Sequence, residues 1–359
     1  MPLSRSQVYV VQLALLFLAS YVLPLQAYMF QQPEAGANNF YQYSNMYLAP
    51  FDMGATYAPF VFRQVGAALV HLVYAAGLFV DLDLRYQATE EVRRLLFAAI
   101  VVNWAGLFLA CALVVDIVNR ITGFRRPVIG LLSGLLILTS YGTPAYAVSG
   151  LMDAWTWTFV ATLFWCMQTR REVLFFALLA LSVTQREVTP LIFAVWASVD
   201  LVRLRGDRIE TRRALFRAVA GFGVFAAYLA LRLIVFPNVT GNAHQLSPEF
   251  WAGQMTNPAI GAGFLFKVLV QQNILIMLAV LAGCTVLLRN GRDALHPVVR
   301  AGGLNLAIVL LMLTVLGLGA GIWLNTARLL LFMSPVIAVY AALLAGDLLA
   351  GEGANGPER

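Results

Sequence analysis

An adjacent cation and anion interrupt an otherwise apolar part of this chain. Leu181-Ser182-Val183-Thr184-Gln185-Arg186-Glu187-Val188-Thr189-Pro190 lies between two apolar arms, Val173 to Val183 and Leu191 to Val199. An unpaired charge at the centre of a bilayer costs about 2.5–3.5 kcal/mol or more, so a residue kept there has a partner or a task. Arms and polar centre together span roughly 30 residues, whereas two full crossings need about 40. The stretch is therefore a tight broken hairpin or one long kinked helix.

Three more charges stand at the edges of apolar runs. Arg63 closes Ala58-Pro59-Phe60-Val61-Phe62-Arg63, Asp153 lies near the start of a tryptophan-rich helix from about Leu151, and Arg328 precedes the last apolar run. A guanidinium is planar, permanently charged and matched to phosphate oxygens. Arg63, Arg186 and Arg328 are thus candidates to hold a phosphate. The competing readings are snorkelling at a helix end for Arg63 and Arg328, and a plain ion pair for Arg186. Glu187 cannot share a helix face with its neighbour Arg186, so it pairs with another arginine or holds the loop. Asp153 has a bland role open to it, satisfying free amides at a helix start.

Other reactive residue types give less. Cys111, Cys166 and Cys284 lie inside apolar segments without metal-ligand spacing and read as small core residues. His71, His244 and His296 are scattered. No metal or other cofactor is expected from these patterns, since nothing supports a divalent site.

The elements that must position these charges are read from the hydropathy. Of 359 residues, 60% are hydrophobic and only 12% charged, with a mean hydropathy of +0.77. Soluble chains have about 45–50% apolar and about 25% charged residues, so this composition belongs in lipid. The net charge of +6 rests on arginine, Lys267 being the single lysine. The basic residues cluster between apolar segments, a topology signal, and no nucleic-acid motif accompanies them.

An all-α bundle of about 10–11 membrane segments is expected, forming one transmembrane domain over residues 1–350 with a short polar tail, 351–359. The apolar run from Val8 to Tyr28 is longer than a signal-peptide core and reads as an uncleaved first helix. Residues 31–59 form a long polar loop rich in tyrosine, whose only carboxylates are Glu34 and Asp52. A second, 237–260, contains the glycosylation-type triplet Asn238-Val239-Thr240, read as a chance match. Gly130 and Gly134 are spaced for close helix approach.

The positive-inside rule puts Arg120–Arg126, Arg170–Arg171, Arg203–Arg217 and Arg289–Arg300 in the cytoplasm. With the Arg186 stretch as a hairpin, all four agree, and Asp153, Arg186, Glu187 and Arg328 collect on the opposite face. Two full crossings before Arg120 would put the first long loop inside. A re-entrant early segment would return it to the outer face. Both arrangements are open.

The order of elements resembles the GT-C superfamily of integral-membrane glycosyltransferases. Four stretches carry the likeness: Asn39–Arg63; Ser149-Gly150-Leu151-Met152-Asp153; Leu181–Pro190; and Thr326-Ala327-Arg328-Leu329-Leu330-Leu331-Phe332-Met333-Ser334-Pro335. The resemblance implies a polyprenyl-phosphate-linked sugar donor, an acceptor among envelope lipids, glycans or proteins, and a bacterial cytoplasmic membrane. It implies donor contacts from Arg63, Asp153, Arg186, Glu187 and Arg328, and a carboxylate of the first loop that deprotonates the acceptor. Where the family carries an acidic residue early in that loop, this chain has Asn38-Asn39. Glu34 and Asp52 are the substitutes. A glycosyl phosphate develops negative charge as it leaves, which fixed arginines stabilise. A lipid-linked glycan flippase and a polytopic subunit without a site of its own are the alternatives. Apart from the donor and membrane lipids, no partner is implied.

Overall fold

The computed structural model describes residues 4–30, 38–56, 60–80, 89–140, 143, 151–204, 207–239, 274–291, 295–319 and 328–354, and among them every regular element is helical. In chain order these are α1 (Arg5–Ser20), α2 (Val22–Phe30), α3 (Asn38–Leu48), α4 (Gln64–Ala75) and α5 (Glu90–Ile121). They continue as α6 (Pro127–Leu138), α7 (Asp153–Thr169), α8 (Glu172–Ser182), α9 (Val188–Arg203) and α10 (Arg208–Ala230). The last three are α11 (Ile274–Asn290), α12 (Pro297–Gly319) and α13 (Ser334–Ala354).

Four helical stretches are long and apolar enough to cross a membrane: Arg5–Ala27, Glu90–Ile121, Arg208–Val235 and Pro297–Gly317. Several turn apolar side chains outward. On α10 and its extension, Val219, Phe222, Leu233 and Ile234 are all exposed. A soluble surface does not carry so continuous an apolar face, and lipid does not penalise it.

The Arg186 stretch is a hairpin. Phe175 on α8 meets Phe193 on α9 edge to face, with ring centroids 5.8 Å apart. One uninterrupted helix would hold residues so spaced about 27 Å apart. The open ends agree. Glu172 at the start of α8 bonds Arg217 of α10, while Asp200 near the end of α9 pairs with Arg203 at 2.8 Å. Arg213 joins them, bonding Glu210 at 2.5 Å and approaching Glu172 at 4.0 Å. This network marks one end of the bundle, called here the basic end, and the turn Val183–Glu187 lies at the other.

The first helix begins at the basic end. Arg5 lies over the Phe124 ring, 5.8 Å from its centroid. The Gln12 and Asn119 amides bond each other at 2.7 and 3.3 Å, and further along Trp104 donates to Ser20 at 3.1 Å. So α1 runs antiparallel to α5 and delivers the first loop to the far end. The chain turns slightly at Tyr21, between α1 and α2, where one continuous helix is expected. Gly130 and Gly134 of α6 explain their spacing. A methyl group on Gly130 would collide with the Gln12–Asn119 amide pair, and one on Gly134 would sit 2.8 Å from Leu16.

The apolar run after Pro59 does not form a second crossing. Helix α4 has 12 residues, about 18 Å against a hydrocarbon core of about 30 Å. It starts beside Met152 at Gly66, and the chain beyond it brings Phe79 against Phe97 of α5 at 5.9 Å. This segment runs back along the first half of α5. Among the described residues it does not reach the basic end, as a second full crossing would require. Helix α5 also starts earlier than its apolar run, because the Thr89 hydroxyl caps the Val92 amide at 3.3 Å and Glu90 and Glu91 occupy the first turn.

Candidate functional site

Four helices begin at the end of the bundle opposite the basic network. Asp153 is the first residue of α7, Glu187 precedes α9, Arg63 precedes α4, and Arg328 lies just before α13. Helix N-termini carry partial positive charge and unsatisfied amides, so two carboxylates there are stabilised. Three arginines there are not, unless something negative faces them.

Asp153 is buried between two of those arginines. Arg328 donates through Nε to Asp153 Oδ2, and Arg186 Nη2 stands 3.5 Å from Oδ1. Arg63 holds Glu187 with both Nε (3.3 Å) and Nη2 (2.9 Å), and its Nη1 donates to the Tyr43 hydroxyl at 2.8 Å. The guanidinium planes are backed by rings: Arg63 by Phe60 at 4.9 Å and Arg186 by Phe332 at 4.8 Å. Arg63, Arg186, Arg328 and Asp153 are 6%, 6%, 3% and 2% exposed, so these charges meet with little water between them. The structure brings all five residues of the expected donor set together, across 265 positions of sequence from 63 to 328.

The five groups carry three positive charges and two negative ones. Their engagement is uneven. Arg63 has two acceptors and Arg328 a close carboxylate, but Arg186 makes no side-chain hydrogen bond among the described residues. Its polar contact is the 3.5 Å approach to Asp153. A guanidinium has five N–H donors, and none of those on Arg186 is among the fully buried nitrogens left without a partner. Arg186 is the member of the cluster with donors to spare.

Polar side chains that the sequence reading passed over lock this geometry. Gln185, 1% exposed, accepts from the Gly66 amide at 3.0 Å and donates to the Met152 carbonyl at 2.8 Å. It ties the turn before α9 to the starts of both α4 and α7. Gly66 permits this approach, since a methyl group there would lie 2.6 Å from the Met152 sulfur. Gln64 reinforces it: its own amide donates to the Thr184 carbonyl at 2.7 Å, and its side chain accepts from the Phe51 amide at 2.8 Å. Tyr43 stacks on Tyr47 at 6.1 Å, and the Tyr47 carbonyl meets the His71 ring at 2.8 Å. Two tyrosines of the first loop are thus buried, Tyr43 supporting Arg63 directly and Tyr47 supporting Tyr43.

Arg232 is the other residue missed. It lies in a π-helical turn, Leu231–Val235, that extends α10, and its guanidinium packs on Phe62 at 5.4 Å and Tyr228 at 5.6 Å. Such turns concentrate at functional sites. The signal was present, an arginine inside the apolar run Tyr228–Phe236, and it is the same signal that singles out Arg186.

The first-loop carboxylates do not join the cluster among the described contacts. Asp52 is exposed and accepts from the Gly54 amide at 2.8 Å, closing its own turn. Glu34 lies outside the described residues. Met53 and Gly54, next to Asp52, form one wall of a 330 Å³ cavity whose other wall is Val235–Val239. Phe236 of that wall meets Phe62 at 5.9 Å, and Arg232 packs on the same Phe62 ring, though neither Arg63 nor Arg232 lines the cavity. Among the described residues no group of three His, Cys, Asp or Glu side chains is placed to hold a metal.

No family model, curated protein or solved structure matches the chain.

Proposed function

We propose that the arginine cluster grips the phosphate of a lipid-linked sugar, and that the chain is a GT-C-like glycosyltransferase of a bacterial cytoplasmic membrane. Arg186 carries the reading: a buried guanidinium, backed by Phe332 and set among four helix starts, whose donors are left for a ligand. By the positive-inside rule the basic end faces the cytoplasm, so the cluster faces outward. Helix α7, 17 residues from Asp153 to Thr169, measures about 25 Å, a length that supports a cluster near the outer edge of the hydrocarbon. A carrier phosphate lies at that depth while its isoprenoid tail stays in lipid. The shorter apolar helices complete a bundle of about ten or eleven membrane segments.

In this reading Arg63, Arg186 and Arg328 bind the donor phosphate and stabilise the charge it gains as the sugar leaves. Asp153 and Glu187 hold the arginines in place. The acceptor hydroxyl enters by the cavity beside Asp52, and a carboxylate of the first loop, Asp52 or Glu34, takes its proton. One observation favours a second reading, binding of a lipid-linked glycan without bond cleavage. Asp153 and Glu187 are both tied to arginine, and Asp52 serves its own turn.

Transfer from a polyprenyl-phosphate sugar, followed in proteoliposomes, tests both. Arg186→Ala is expected to abolish transfer while leaving most of the folded protein. Equal loss of folded protein would reduce Arg186 to an ion-pair partner. Carrier binding by a wild-type protein that transfers no sugar would select the second reading.

A further inference from the structure

A second polar cavity lies at the opposite end of the bundle and takes no part in the site above. It encloses 260 Å³ between the turn joining α5 to α6, the start of α12 and the last turns of α13. Arg125, Arg126, His296 and Asp347 supply its charged and titratable groups, with Thr122 and apolar Ile121, Ile129 and Leu343 beside them. Arg125, an exposed side chain, makes no side-chain hydrogen bond or ion pair among the described residues. Arg126 spends one N–H on the Gly346 carbonyl at 3.0 Å and has no carboxylate partner among them. Asp347, the one described acid, already accepts the His296 backbone amide at 2.8 Å. His296 takes the Val298 amide on Nδ1 at 3.3 Å, which leaves Nε2 as the ring's donor. Burial holds this imidazole below its usual value, against the pull of Asp347 and with help from Arg126. At neutral pH the described lining therefore carries two positive charges and one negative.

The turn that presents the arginines is held in an uncommon conformation. Gly123 and Phe124 both have positive φ, 60° and 61°, and for a residue as bulky as phenylalanine that conformation is disfavoured. Such local strain persists where the surroundings impose it, and functional sites are where it gathers. Here the Phe124 ring also carries Arg5, the first residue of α1, on its face. A strained turn thus aims Arg125 and Arg126 at a cavity lined with donors.

We infer that this cavity binds a phosphate-bearing anion at the basic end of the bundle, with Arg125 and Arg126 as its ligands. The anion is the headgroup of a membrane lipid or a soluble phosphate, and the two share the same recognition chemistry.

The test uses the full chain in detergent, with Arg186→Ala as background so that the first cluster does not contribute. Short-chain phosphatidic acid and inorganic phosphate are titrated separately, and bound copies are counted by native mass spectrometry. R125Q/R126Q is expected to weaken binding by at least about tenfold, whereas R120Q, whose guanidinium is held by Asp116 at 2.6 Å, leaves it unchanged. Tighter binding of phosphatidic acid than of inorganic phosphate identifies a lipid ligand; equal binding of both identifies a soluble one. Failure of both probes to bind overturns the inference. So does undiminished binding by R125Q/R126Q, or equal losses in R120Q. Should the double variant not fold, R125Q alone removes an exposed side chain without a hydrogen bond or ion pair among the described residues, and undiminished affinity there overturns the inference equally.

Discussion

Arg186 and Arg328 both face Asp153, yet their removal should have unequal consequences. Arg328 bonds the carboxylate closely through Nε, while Arg186 stands 3.5 Å away without a hydrogen bond. Deleting one partner of a buried, hydrogen-bonded pair costs about 3–5 kcal/mol, because the other charge is left without compensation. Arg328→Met should lose that much. In Arg186→Met the carboxylate keeps its close partner, a mutual repulsion between guanidinium groups disappears, and the loss reduces to the Phe332 contact, about 1–2 kcal/mol. At about 2 °C per kcal/mol, thermal unfolding in detergent should fall by about 6–10 °C for Arg328→Met and by about 2–4 °C for Arg186→Met. Adding a short-chain polyprenyl phosphate at about 100 times its Kd should raise the wild-type midpoint by about 5 °C, the equivalent of about 2.7 kcal/mol. Arg186→Met should lose that increment almost wholly. An Arg186→Met protein as unstable as Arg328→Met, or one that retains the ligand shift, would refute the division of labour drawn here.

Two further substitutions probe the scaffold. Gln185→Ala leaves the Gly66 amide and the Met152 carbonyl without partners, so stability should fall by about 2–4 kcal/mol, read as a lower unfolding midpoint, and carrier binding should weaken with it. Gly134→Val inserts side chain where a single methyl already comes within 2.8 Å of Leu16, and overpacking of about 1–3 kcal/mol should lower the midpoint by about 2–6 °C without touching the carrier-dependent shift.

The sequence disclosed most about groups whose cost is independent of partner. Arg186 and Glu187 stand out because charge inside an apolar run demands explanation whatever surrounds it, and the same reasoning locates Arg63, Asp153 and Arg328. Their assembly was only partly legible. Positive-inside counting places four of the five on one face, but that Arg63 meets Glu187 and Arg328 meets Asp153 is a matter of tertiary packing. Tyr43 and Gln185 were hidden for a different reason. An amide or hydroxyl reads as ordinary loop composition until its partners are known, and here the partners are backbone groups or an arginine on other segments. Helix α4 misled through hydropathy: the run after Pro59 is apolar enough to cross a membrane, but the helix within it stops at 12 residues and folds back on α5.

Depth connects the two ends of the molecule. Glu172, at the basic end, and Arg186 are joined by α8 and the turn after it, while Arg217 and Arg232 mark the same two levels on α10. Fifteen helical residues from Arg217 to Arg232 span about 22 Å, and the α7 estimate of about 25 Å agrees. Both fall slightly short of a hydrocarbon core of about 30 Å. If the basic end sits at the cytoplasmic boundary, as proposed, a charge cluster at that separation lies just within the apolar layer. There a guanidinium has less solvent to satisfy its donors, and a phosphate arriving on a lipid need not leave the membrane to reach them. Under the proposed function, that shortfall of about 5–8 Å suits a lipid-borne anion, which would meet Arg186 where its donors are unused among the described residues.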